Sequence, residues 1–204
     1  MQIDPKANTT LDNYKLLTSL VVPRPIAWVT SRNERGVINL APFSFFNAVG
    51  SDPIFLIISI GRGSDRGKKD TARNIESVGE FVVNLVTEDL IGAMNISAAE
   101  FPPEESELIA AGLHAAPSAL ISVPRVAESQ ASFECKLHST QPLGVYTLII
   151  GQVVMFHIAD DLVGPRLHIN NFAPIGRLGA PSMYCRTIDR FDLPRLTYEQ
   201  AKKL

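Results

Sequence analysis

Two polar clusters interrupt the apolar first half of this 204-residue chain, Ser44-Phe-Phe-Asn47 and Lys68-Lys-Asp-Thr71. A phosphate needs cations and several donors, and a helix start offers unpaired N–H groups with a favourable dipole. Within Lys68-Lys-Asp-Thr-Ala-Arg-Asn74, Lys69 can supply the charge, and Thr71 a hydroxyl together with its own N–H. The plainer alternative is that Asp70 caps that helix and the lysines are solvated. Arg24, stiffened between Pro23 and Pro25, suits either a second phosphate contact or a surface place at a loop mouth. Thr30, Ser31, Ser44, Asn47 and Ser59 set small polar side chains on otherwise apolar strands. Such groups can read the donor and acceptor edge of a planar ring, or satisfy one another inside a barrel. Trp28, Phe43, Phe45 and Phe46 either flank that ring or fill a core, and strand alternation sends Phe45 and Phe46 to opposite sides.

The elements that must position these groups can be read from pattern and punctuation. A helix is expected from Leu11 to Ser19, with Thr10 as N-cap and Leu16, Leu17 and Leu20 on its apolar side. Pro23 and Pro25 forbid its continuation. A strand over Ile26–Ser31, a turn at Asn33–Gly36 and a return over Val37–Ala41 make a hairpin, which Pro42 breaks before Phe43–Val49 resumes it. The β-branched run Ile54–Ile60 suits a strand buried on both faces. A short helix over Thr71–Val78 takes Asp70 as cap and Gly79 as stop. Further strands are expected over Glu80–Val86, Ala131–His138, Val145–Ala159 and Met183–Arg186. Helices are expected over Glu88–Asn95, capped by Thr87, then Glu105–Ala111 and Tyr198–Lys203. Many strands with few short helices describe a mainly β fold, a closed antiparallel barrel with helical additions, as one domain over residues 1–204. Strict strand–helix alternation and a G-x-G-x-x-G after the first strand are both missing, which argues against a doubly wound sheet.

Composition narrows the function classes. Net charge is −2 with no lysine or arginine block, so bulk electrostatics favour neither nucleic acid nor an anionic membrane surface. No apolar run approaches the roughly 20 residues of a membrane-spanning helix, and Met1–Lys15 is polar, so a cytoplasmic protein is expected. Cys135 and Cys185 are the only cysteines and each falls in a strand-like stretch, where burial and inertness are expected. The four histidines have no metal-ligand spacing, and no serine sits in a G-x-S-x-G elbow.

Taken together, Pro23-Arg-Pro-Ile-Ala-Trp-Val-Thr-Ser31, Asn39-Leu-Ala-Pro-Phe-Ser-Phe-Phe-Asn47, Asp52-Pro53, Lys69-Asp-Thr-Ala-Arg-Asn74 and Gly79-Glu-Phe-Val-Val-Asn84 resemble, in order and spacing, the flavin reductase-like, FMN-binding split-barrel family. Pro124-Arg-Val-Ala-Glu-Ser129 and Pro174-Ile-Gly-Arg-Leu-Gly179 with Tyr184 extend the likeness over most of residues 11 to 190. The resemblance implies a split antiparallel β-barrel that binds FMN as a homodimer, with the flavin near the subunit interface. It further implies NADH or NADPH as electron donor, and a flavin, an oxygenase or another electron-acceptor protein as recipient. Its flavin site would use Thr30, Ser31, Ser44, Phe45, Phe46 and Asn47, with Lys69, Thr71 and Arg24 at the phosphate. Arg177 and Tyr184 would approach from the C-terminal part or from a partner subunit. An FMN-binding electron carrier without its own NAD(P)H turnover is the alternative, and no residue is singled out as catalytic. Two departures stand out: the added charges Arg62, Asp65 and Arg66 in the Gly61–Gly67 loop, and Ala180-Pro181 after Gly179.

Overall fold

Seven strands share one antiparallel sheet in a computed structural model that describes residues 1–63, 67–179 and 181–203. They are β1 (Ala27–Arg32), β2 (Ile38–Phe43), β3 (Phe46–Ser51), β4 (Ile54–Gly61), β5 (Glu80–Asn84), and, after the two-residue pair β6 (Ala115–Ala116) and β7 (Arg125–Val126), the long β8 (Ala131–Leu143) and β9 (Tyr146–Ile158). The order across the sheet is β2-β1-β5-β8-β9-β4-β3, so the two edge strands are consecutive in the chain. Side chains of β1, β2, β4, β5, β8 and β9 meet in a single core that includes Val29, Phe43, Ile58, Phe81, Cys135 and Ile149. A sheet whose first and sixth strands share one core has curled on itself, which is the barrel expected from the sequence.

The barrel interior is full. Phe81 is fully buried and crosses close to Gly151 of β9, where an added Cβ would lie 2.4 Å from Phe81 Cζ and 2.9 Å from its Cε1. Two irregularities in the β8–β9 register, at Glu134/Cys135 and Leu137/Ser139, raise the local twist that closure needs. A second core lies outside the barrel. There Trp28, Leu40 and Ile26 pack against Met94 and Leu108, carried by α3 (Ile91–Ile96) and α4 (Glu107–Ala110). Because β1 sends Ala27 and Val29 inward and Trp28 outward, it is buried on both faces.

Several expectations change in detail. β4, expected to be buried on both faces, buries only Leu56, Ile58 and Ile60, and the alternate residues are half-exposed. β2 runs through Pro42, which lies opposite Trp28; an edge strand tolerates a residue without an N–H. The expected helix over Glu88–Asn95 is a 3-10 turn, Glu88–Leu90, followed by α3, and Thr87 makes no side-chain cap. Cys185 is only half-buried, on the short β11 (Tyr184–Cys185) that pairs with β10 (Gly176–Arg177). The first helix, α1 (Thr10–Leu20), is capped by Thr9 rather than Thr10 and buries only Thr18. Its expected apolar side faces solvent, with Leu20 78% exposed. The last helix, α5 (Tyr198–Ala201), is exposed throughout. Among the described residues no helix is long and apolar enough to cross a membrane.

Candidate functional site

The start of α2 (Asp70–Val78) is the chemically richest point on the surface. Gly79 closes the helix in the left-handed conformation, at φ 74°, and Ala72 and Ile75 anchor it in the barrel core. At its other end the expected cap is corrected. Asp70 is the first helical residue, and Lys69 holds the N-cap position without any side-chain cap bond. The N–H groups of Ala72 and Arg73 both bond to the Lys69 carbonyl. Those of Asp70 and Thr71 precede this first intrahelical bond, so they are donors available to an anion.

Electrostatics select Lys69. Lys68 is paired with Glu76 at 2.6 Å, and Arg73 is paired with Asp70, which offsets the carboxylate that would otherwise oppose a phosphate. The half-buried Lys69 ammonium has no hydrogen bond or ion pair among the described residues. Thr71 is 1% exposed and its Oγ1 accepts from Asn39 Nδ2 at 2.9 Å, which orients the hydroxyl at the helix start. Two cavities, each of about 290 Å³, meet at Lys68 and Lys69. One is walled by Asn39, Pro42, Phe43, Thr71 and the 97–101 segment; the other by Gly61, Pro142, Tyr146 and Thr147.

The remaining candidates divide into three groups. Phe45 neighbours Tyr146, which lines the second cavity, Ser59 precedes its Ile60, and Ser44 Oγ lies beside Arg24 Nε. The Phe45 ring sits 5.8 Å from Tyr146 and 6.3 Å from Tyr14, and Ser59 N–H donates to the Phe45 carbonyl at 2.8 Å. Phe46 packs on the barrel core, on the side opposite Phe45, while Asn47 is exposed and its Oδ1 accepts from Ala48 N–H. Thr30 and Ser31 are fully buried and internally bonded, so their side chains are not displayed to a ligand. Asn84 is the reason for the first: its Nδ2 donates to the Trp28 carbonyl and Thr30 Oγ1, while its Oδ1 accepts from Val126 N–H and Ser132 Oγ. Asn74 Nδ2 donates to Ser31 Oγ at 3.3 Å.

Arg24, Arg177 and Tyr184 form the third group, away from both cavities. Arg24 is buried and its guanidinium donates to the carbonyls of Thr18, Val21 and Leu178, at 2.5, 2.8 and 2.9 Å. This fork clamps the end of α1 to the C-terminal segment, and burial lowers the Arg24 pKa from its ordinary value. A phosphate role for Arg24 is therefore corrected to a structural one, with Ser44 Oγ only 3.5 Å from its Nε. Arg177 stacks over Tyr184 at 4.5 Å and bridges to Arg24 through the backbone. Asp65, Arg66 and Ala180, among the sequence departures, lie outside the described residues.

Tyr146, Tyr14 and Glu107 were not anticipated. Tyr146 reaches the site only because Gly61 pairs with it across β4 and β9, a contact without any local signal. Glu107, buried at the start of α4, accepts from the Leu40 N–H of the edge strand at 2.9 Å and borders the first cavity. Burial raises its pKa, partly opposed by that bond.

The site thus combines a curled antiparallel barrel, a helix start without a side-chain cap, a lysine unpaired among the described residues and nearby aromatic side chains. Comparison with known sequences makes the class specific. The flavin reductase like domain matches residues 19–193, and the chain belongs to that family, whose members include split barrels. An uncharacterized protein of Halalkalibacterium halodurans is 40% identical over the whole of both chains. Among solved structures, nitrilotriacetate monooxygenase component B from Bacillus cereus is 40% identical, with a TM-score of 0.90 over 95% of this chain and 98% of that one. The 2-nitrobenzoate 2-nitroreductase NbaA of Pseudomonas fluorescens is 35% identical, with a TM-score of 0.88 over 97% and 98%.

Proposed function

We propose that this chain is an FMN-dependent oxidoreductase of the flavin reductase type, with NADH or NADPH as donor and a flavin or other electron acceptor as recipient. The observation that carries the reading is the start of α2, where Lys69, the Thr71 hydroxyl and the N–H groups of Asp70 and Thr71, unpaired among the described residues save for the Asn39 bond to that hydroxyl, meet between two cavities. This donor set fits a phosphate monoester: one full cation, a hydroxyl and a helix dipole, with the nearest carboxylate already paired. Bound here, FMN would supply the hydride-accepting chemistry, since the cofactor and not the protein carries that step. Lys69 and Thr71 hold the phosphate and set its register. Phe45 and Tyr146 form an aromatic wall beside the second cavity and keep water from that side. Asn39 fixes the Thr71 hydroxyl, and Glu107 holds the β2 edge that borders the first cavity.

The exposed leucines of α1, together with Phe191 and Leu193 near the C-terminus, support a homodimer in which a second copy covers them. A monooxygenase component as downstream partner is suggested by the likeness to the B. cereus component B. A cytoplasmic location is in keeping with this chemistry. The visible spectrum of FMN-loaded protein under anaerobic conditions tests the reading. Bleaching near about 450 nm on adding NADH or NADPH is the expected result and names the donor. A yellow complex that neither nucleotide bleaches refutes turnover and leaves an electron carrier.

A further inference from the structure

FMN bound with its phosphate at Lys69 and its ring toward Phe45 and Tyr146 makes no use of the first cavity, on the other side of Lys69. We propose that this cavity is an adenosine subsite, through which the chain takes FAD as well as FMN and holds FAD the more tightly. The proposal rests on the flavin reading and adds to it the second half of a dinucleotide.

Layout is the first argument. Lys68 and Lys69 line both cavities at α2, so the phosphate anchor lies between two spaces. A mononucleotide needs only one of them, whereas a dinucleotide has a ring system on each side of its phosphates. The first cavity, of about 290 Å³, adjoins a third of about 560 Å³ across Asn39 and Glu107, which line both. Together they offer ligand-sized room beyond what a phosphate needs. Ala41, Pro42, Phe43 and Phe101 give the first cavity apolar walls of the kind a purine packs against.

The buried polar groups supply the second argument. Asn39 is only 8% exposed; its Nδ2 is committed to Thr71 Oγ1, and its Oδ1 has no hydrogen bond among the described residues. Glu107, 7% exposed, brings a carboxylate to the same wall, with Oε2 accepting from Leu40 N–H. Acceptors held this far out of water call for a ligand that donates, and a ribose diol does so. Two cations of the cavity, Lys68 and Arg73, are already paired with Glu76 and Asp70, so the space suits an uncharged nucleoside rather than a further phosphate. The FAD pyrophosphate carries the same charge as the FMN monoester, and Lys69 with the helix start serves both. A nicotinamide dinucleotide also contains adenosine, but it has no anchor here while a flavin phosphate occupies Lys69.

Titration calorimetry of the full-length protein with FAD, FMN, riboflavin and AMP tests the proposal. FAD is expected to bind about tenfold more tightly than FMN, and AMP to displace FMN but not riboflavin. Ala99 is exposed and lines the cavity, so Ala99→Trp should fill the space without disturbing the core. In that variant the FAD advantage should vanish, with FMN affinity and the thermal midpoint unchanged. Equal or weaker binding of FAD than FMN in the parent overturns the subsite, as does a FAD advantage that survives Ala99→Trp. Both results leave the flavin reading standing, because FMN still binds. Failure of FMN and FAD alike removes the flavin reading and the subsite with it.

Discussion

Replacing Lys69 with methionine isolates the phosphate contact from the fold. The side chain has no hydrogen bond or ion pair among the described residues, so its removal should shift folding stability by no more than about 0.5 kcal/mol. A hydrogen bond to a charged group contributes roughly 1.5–3 kcal/mol, and about 1.4 kcal/mol is tenfold in affinity. The FMN dissociation constant of Lys69→Met should therefore rise by about 10- to 150-fold. Riboflavin, which has the same ring and no phosphate, should bind parent and variant alike. Quenching of flavin fluorescence on titration measures both ligands in one format, and the salt dependence of FMN binding should flatten in the variant. Parallel losses for FMN and riboflavin would mean that Lys69 acts through the ring or the fold. An unchanged FMN affinity would remove Lys69 from the site altogether.

Other perturbations read the scaffold. Arg24→Met releases three carbonyls at the end of α1 and should cost about 2–4 kcal/mol by urea denaturation; a loss under about 1 kcal/mol would refute the clamp. Asn84→Leu strands two buried donors and two acceptors around β1 and should cost about 3 kcal/mol or more in the same assay. Glu134 and Glu107 should give opposite pH signatures. Burial pushes the Glu134 pKa up, but the bonds from His157, Ala119 and Leu120 prevail and hold it below its ordinary value. Its contribution is thus complete above the unfolded value of about 4.5 and lost as pH falls through the lower folded one, so Glu134→Gln should flatten the acid limb of stability. Burial raises the Glu107 pKa, so the native state holds that proton more tightly and stability declines as pH rises from 4.5 through the folded value. Glu107→Gln should gain on the parent over that rise, and urea midpoints across the range would expose the reverse sign.

The barrel was legible because β-branched runs, glycine stops and proline breaks report locally on strands and turns. The α2 helix and its Gly79 stop were legible for the same reason, but its N-cap is Lys69 and not the expected Asp70. Arg24 misled because a charge between prolines looks solvent-facing, and nothing nearby shows that Leu178 will supply a carbonyl across the fold. Thr30 and Ser31 misled because hydroxyls on a strand look the same whether a ligand or a buried asparagine receives them. Tyr146 could not be foreseen, since its place depends on the pairing register of β4 and β9. Pairing across distant strands, not local chemistry, decided which polar groups stayed available.

The crossing of Phe81 over Gly151 bears on how cargo comes and goes. A methyl group added at Gly151 would meet an aromatic carbon at 2.4 Å, so the barrel has no space to spare at that crossing. A planar ligand bound as proposed beside Lys69 would lie on the rim, with the packed core behind it. Loading and release would then need no breathing of the sheet, and their rates should answer to the contacts around Lys69 and Tyr146. On the proposed reading, a flavin held there would come and go without opening the β-structure beneath it.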